Sequence, residues 1–137
     1  MTGLVVCVAV LAAASAFGVL HKRRSGRVRV RGRDEDRRLG VADLGAQLGE
    51  RATLVQFSSA FCAPCRATRR VLGEVVGLVP GVAQVEIDAE AHLDLVRRLD
   101  ILKTPTVLVL DADGRVVRRA VGQPRKADVI AALGEAV

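Results

Sequence analysis

Apolar positions divide the chain into one uninterrupted block and a long patterned remainder. Gly3–Leu20 (GLVVCVAVLAAASAFGVL) is eighteen residues without a charge. As a helix it would be about 27 Å long, close to the roughly 30 Å of a bilayer's hydrocarbon core. It stops abruptly at His21-Lys22-Arg23-Arg24. From Leu39 onward the apolar residues recur with regular periods. Val41, Leu44 and Leu48 suggest a short helix over Val41–Glu50, and Thr53–Phe57 reads as a buried strand. Arg66–Leu78 has helical spacing: Val71, Leu72, Val75, Val76 and Val79 share one face, with Arg66, Arg69, Arg70 and Glu74 largely on another. After the break at Pro80-Gly81, Val82–Asp88 alternates as a strand, and Ala89–Ile101 reads as a helix. Pro105–Leu110 is a continuous apolar strand, Asp111–Gly114 a turn and Arg115–Val121 the returning strand. Gly122 ends that strand, and Arg125–Val137 closes the chain as a helix.

The predicted order from Val41 is α-β-α-β-α-β-β-α. Strands separated by helices imply parallel pairs with helices on both faces. The final hairpin adds one antiparallel strand at the edge. A chain of 137 residues has room for one such α/β domain and a small appendage. The expected organisation is a transmembrane helix over 1–20, a basic juxtamembrane linker over 21–37 and a globular domain over 38–137.

The apolar block has two membrane readings, a cleaved secretory signal with Ala14-Ser15-Ala16 as its small-residue site, or an uncleaved anchor. A secretory signal carries positive charge before its apolar region, whereas here seven basic side chains follow it: Lys22, Arg23, Arg24, Arg27, Arg29, Arg31 and Arg33. The positive-inside rule holds such a flank in the cytoplasm. The expectation is a single-pass cell-membrane protein with its domain in the cytoplasm. The basic run would lie against anionic membrane lipid, or act as a solvated tether reaching about 23 Å as a flexible coil. Cys7, inside the apolar block, is expected to be a packing residue.

Charge bears on partners through its placement. The net charge is +6, yet residues 38–137 carry thirteen Lys/Arg against twelve Asp/Glu. The excess belongs to the segment after the apolar block. A nucleic-acid-binding domain would carry its basic stripe on the fold, so no nucleic-acid partner is expected. With three Phe and no Trp or Tyr, the core must be aliphatic.

The chemistry centres on Phe61-Cys62-Ala63-Pro64-Cys65. Zinc needs about four ligands, and the domain offers one cysteine pair and a lone His92. No metal is expected, and His92 reads as an exposed helix residue. A structural disulfide would close a very small loop in what is expected to be a reducing compartment. A redox dithiol suits the surroundings. Cys62 follows a buried strand and opens a helix, where unpaired N–H groups and the dipole favour a thiolate. Pro64 is compatible with the first helical turn, and Cys65 lies one turn on. A Cys-x-x-Cys at a strand-to-helix junction in a βαβ pattern is strong redox evidence.

Over about Leu39–Val137 the sequence resembles the thioredoxin family. Phe61–Cys65 (FCAPC) resembles the family's Trp-Cys-Gly-Pro-Cys, and Leu99–Leu110 (LDILKTPTVLVL) resembles the segment that holds its cis-proline. Asp111–Gly122 (DADGRVVRRAVG) resembles its terminal hairpin. The resemblance implies a thioredoxin fold, with a central mixed sheet flanked by helices. It also implies thiol–disulfide oxidoreductase activity through Cys62 and Cys65. Phe61, Ala63, Pro64, Thr104 and Pro105 would meet protein disulfide substrates. The only redox group would be the Cys62–Cys65 disulfide itself, with no further cofactor, re-reduced by a thioredoxin-reductase-like or other thiol donor.

Departures from the family pattern also matter. Ala63 replaces the usual glycine, and Ser58 and Phe61 stand where tryptophans are common. Gln56 occupies the position of the family's buried Asp, and Gln84 that of a Lys which often accompanies it. Both are expected to tune the dithiol, either as a neutral Gln56–Gln84 pair in place of a buried ion pair or with Gln56 as a satisfied core amide. Two further functional readings stand beside the cytoplasmic reductase: an extracytoplasmic protein for oxidative folding or cytochrome maturation, and a binding module with little turnover.

Overall fold

The computed structural model describes residues 1–24, 28–29 and 37–137. Of the basic positions after the apolar block, Arg27, Arg31 and Arg33 lie outside the described residues, as do the side chains of Lys22, Arg23, Arg24 and Arg29.

Helix α1 spans Thr2–Arg24. Its apolar side chains are exposed, with Leu4, Val5, Leu11 and Phe17 each above 60%. Such a helix, apolar all round, has no buried face in this fold. Thr2–His21 is long and apolar enough to cross a bilayer. Cys7 is a free, exposed thiol within it.

The domain is built on a five-stranded sheet in the order β1-β5-β4-β2-β3. The strands are β1 (Val28–Arg29), β2 (Ala52–Ser58), β3 (Val82–Asp88), β4 (Thr106–Asp111) and β5 (Val116–Val121). Helices α2 (Val41–Leu44), α3 (Ala63–Leu78), α4 (Leu93–Arg98) and α5 (Lys126–Ala136) complete it. All seven residues of β2 are buried, as its apolar run predicts for a central strand. Alternation along β2 feeds two cores. Val55 and Phe57 join Leu95, Leu99, Leu108 and Leu110 on one face. Ala52 and Leu54 join Leu72, Val75, Val129 and Leu133 on the other.

Two features of the predicted sheet are corrected. Among the described residues only β2 and β3 are parallel; β4 runs antiparallel to β2. A parallel β4 would require its connection to carry the chain back along a strand of about 23 Å. The helix in that connection has six residues, about 9 Å. The chain therefore crosses the end of the sheet and re-enters from the end where β3 stops. Nor is β5 the edge, because β1 pairs with it antiparallel, Val28 opposite Ala120 and Arg29 opposite Arg119. Val28–Arg29 belongs to the segment read from sequence as linker.

Two helices are shorter than their apolar spacing suggests. Gly45, at φ 66°, closes α2 after Leu44. Asp100, at φ 53°, turns the chain just beyond α4. The hairpin turn matches expectation. Gly114 has φ 83°, and a Cβ there would meet the Leu39 carbonyl oxygen at 2.1 Å, so the turn requires glycine.

Candidate functional site: a disulfide at the β2–α3 junction

Strand β2 ends at Ser58, and Cys62 is the N-cap of α3. Pro64 falls in the first turn, where its missing N–H costs nothing. A disulfide joins Cys62 to Cys65, with Cα atoms 5.2 Å apart. The two sulfurs differ in access: Cys62 is half-buried, whereas Cys65 is 2% exposed and faces β2. The Cys65 backbone N–H donates to Cys62 Sγ at 3.2 Å. That bond and the helix N-terminus both favour negative charge on Cys62 once the disulfide opens.

The remaining positions expected at the site fall around this pair. Phe61 is fully exposed and held at φ 57°. Ala63 and Pro64 are exposed on the first turn of α3. The Thr104–Pro105 peptide is cis, with Thr104 half-buried and Pro105 buried. The two loops meet through Ser59, whose Oγ lies 2.7 Å from Thr104 Oγ1. Ser59 was not singled out from sequence, since nothing in its local pattern shows that a loop 45 residues away closes on it. The Pro105 carbonyl accepts from the Gly122 N–H at 2.8 Å, which ties this loop to the glycine after β5.

Gln56 is fully buried beneath the dithiol. Its Nε2 donates to the Cys65 carbonyl at 2.7 Å and to Ser58 Oγ at 2.9 Å. A Gln56–Gln84 pair is not formed. Gln84 Nε2 donates to the Arg69 carbonyl at 3.2 Å. The parallel register puts Glu86, not Gln84, opposite Gln56. Glu86 holds a two-pronged ion pair with Arg69, at 2.5 and 2.6 Å. The Arg69 guanidinium, followed by a hydrogen bond from Ser58, keeps the Glu86 carboxyl below its usual range against the opposing effect of burial. Glu86 was missed because its pairing depends on register.

Arg119, 3% exposed, was also missed. Its guanidinium donates to the Leu99 carbonyl at 2.6 Å and the Asp100 carbonyl at 3.2 Å. These groups lie just past the end of α4, where helical carbonyls lack intrahelical partners, and they lead into the Thr104–Pro105 loop. Among the described residues no three His, Cys, Asp or Glu side chains gather as a metal site.

A half-exposed cysteine bonded to a buried one at a helix N-terminus, beside a cis-proline loop, defines a thiol–disulfide oxidoreductase. A sequence model of the thioredoxin family matches residues 43–135, and the chain belongs to that family. It is 32% identical over 87 residues to a thioredoxin of Mycolicibacterium smegmatis, covering 61% of this chain and 77% of that one. It is 28% identical to a thioredoxin of Staphylococcus epidermidis, covering 62% and 83%. Among solved structures, chloroplastic thioredoxin z superposes with a TM-score of 0.58 at 26% identity, over 69% of this chain and 83% of that one. Mitochondrial thioredoxin 3 of Saccharomyces cerevisiae shares the fold, with a TM-score of 0.55 at 17% identity, over 63% and 79%. The protein is a thioredoxin-like thiol–disulfide oxidoreductase, and its family implies protein disulfide substrates and thiol electron donors.

Proposed function

We propose that the protein is a membrane-tethered reductase of protein disulfides, with its dithiol on the cytoplasmic face. The observation that carries the redox half is the unequal access of the two sulfurs. In the reduced protein the Cys62 thiolate attacks a substrate disulfide. A mixed disulfide forms, and the first substrate sulfur leaves as a thiolate and takes a proton. Cys65 then attacks Cys62 Sγ, closes the Cys62–Cys65 bond and releases the second substrate thiol. Two electrons pass to the substrate, and a thioredoxin-reductase-like or other thiol donor returns them. Phe61, Ala63, Pro64, Thr104 and Pro105 form the surface that receives the substrate chain.

The membrane half is supported by the exposed apolar helix α1 and the basic residues that follow Leu20. Three residues separate the end of α1 at Arg24 from the start of β1 at Val28. With α1 in a bilayer, that length of chain, at most about 15 Å, would hold the domain close to the lipid surface. The 1–20, 21–37 and 38–137 division then describes function more than structure, since part of the middle segment pairs with the sheet.

Two experiments test the proposal. A reporter fused after Val137 should be active only in its cytoplasmic form, and the chain should stay with membranes through alkaline extraction. Cleavage after Ala16 and release outside the cell would instead establish the extracytoplasmic reading. Insulin reduction by the purified protein should require both cysteines; binding of partners without turnover would establish the binding-module reading.

A further inference from the structure

Gln56 Oε1 is buried and has no hydrogen-bond partner, and no other buried side-chain polar atom among the described residues is in that position. The orientation of the amide is set by its other end. Nε2 has two protons, and both are used, on the Cys65 carbonyl and Ser58 Oγ. Turning the amide over would set one oxygen against another at 2.7 Å. Neither nearby hydroxyl donates to Oε1: Ser58 Oγ accepts from Nε2, and Thr68 gives its proton to the Pro64 carbonyl at 2.8 Å. A buried acceptor left in this state is costly.

The disulfide has no proton either, but the reduced protein does. Reduction by a dithiol donor breaks the Cys62–Cys65 bond, delivers two electrons and leaves Cys62 as a thiolate and Cys65 as a thiol. That S–H is a new donor on a residue 2% exposed, whose own carbonyl already holds the Gln56 amide. We propose that Gln56 is the redox-state-specific partner of Cys65: Oε1 lacks a donor while the disulfide stands, accepts the Cys65 S–H once it opens, and so favours the dithiol. The two bonds from Nε2 are present in both states and cancel from the redox equilibrium. Gln56 is thus a positioning residue that sets the potential of the pair. The inference rests on the reading that Cys62 and Cys65 cycle between dithiol and disulfide.

The test is a redox titration of the full chain in detergent against reduced and oxidised dithiothreitol, scored by thiol alkylation, with Cys7 as the constant label. Gln56→Met keeps length and loses the acceptor. Its equilibrium should move toward the disulfide by about fivefold, the size of one net buried hydrogen bond. Ser58→Ala disturbs the same amide but leaves Oε1 in place, and should stay within about twofold of the native protein on the same reasoning. An unchanged equilibrium in Gln56→Met, or an equal shift in Ser58→Ala, overturns the proposal. If Gln56→Met does not fold, the infrared S–H stretch of Cys65 in a Cys7→Ala, Cys62→Ala background decides. A band shifted to lower frequency than a free thiol supports the proposal, and a band at the free-thiol position overturns it. Insulin reduction measured alongside separates the two readings. A protein inert toward insulin that still shows the shift loses only the substrate assignment.

Discussion

Replacing Arg119 with Met should destabilise the domain more than removing the partly exposed Arg69 cation. The guanidinium is 3% exposed and donates to two carbonyls, Leu99 O at 2.6 Å and Asp100 O at 3.2 Å. Hydrogen bonds from a charged donor contribute about 1.5–3 kcal/mol each. Part of that offsets the cost of taking the cation out of water, a cost the Met variant no longer bears. A net loss of about 3 kcal/mol follows, against a typical domain stability of about 5–15 kcal/mol. For a domain of this size it corresponds to a fall in Tm of roughly 12–20 °C. Thermal unfolding of the full chain in detergent micelles, followed by circular dichroism, measures it. The signal of α1 persists in the micelle as a constant baseline. Arg119→Lys keeps the charge but not the fork and should recover less than half of the loss. Insulin reduction at a temperature where the variant remains folded should also fall, because the Leu99 and Asp100 carbonyls lead into the Thr104–Pro105 loop. A Tm within about 4 °C of native, near 1 kcal/mol or less, would refute the view that this cation holds the end of α4.

Alkylation of the reduced protein at neutral pH should label Cys62 before Cys65; Cys65→Ser should trap mixed disulfides with substrates and Cys62→Ser few, and preferential labelling of Cys65 reverses the roles. Gln56→Asp puts a carboxylate at a fully buried position opposite Glu86. Desolvation and like charge raise such a group's pKa in the folded state, so the penalty is absent below the unfolded value of about 3.9 and grows as pH rises toward the folded value. Denaturant midpoints from pH 4 to 8 should therefore diverge from native with rising pH, and parallel curves would show that the carboxylate escapes to solvent. The Glu86 carboxyl has the opposite sign. Its pKa is lowered from 4.5 by Arg69, so its contribution is present above that value and is lost as pH falls through the folded one. The pair is partly exposed, so Arg69→Met should cost little at pH 7 and flatten the acid limb of the stability profile; an unchanged acid limb would rule this pair out as its source.

The thioredoxin fold and the dithiol were legible in the sequence because both are written locally. An apolar run before Phe61-Cys62-Ala63-Pro64-Cys65 makes a buried strand, and Pro64 with the spacing of Leu72 and Val75 makes a helix. Asp111–Gly114 makes a tight turn whatever lies elsewhere. Together these put one cysteine at a helix start and the other a turn behind it. The direction of β4 was not legible, since periodicity reports that a segment is a strand but not which way it runs. Direction followed from how short α4 is, and α4 is short because Asp100 turns left-handed and Arg119, from a distant strand, holds the carbonyls there. The surroundings of Gln56 were decided in the same way. Its type and position suggested Gln84 as partner. The parallel register of β2 and β3 instead brought Glu86 opposite it, and the packing of α3 on the sheet brought the Cys65 carbonyl. Local sequence determines backbone geometry and which face is apolar. Which polar groups meet in the interior depends on strand register and helix docking, and these are settled only when the whole chain buries its apolar surface at once.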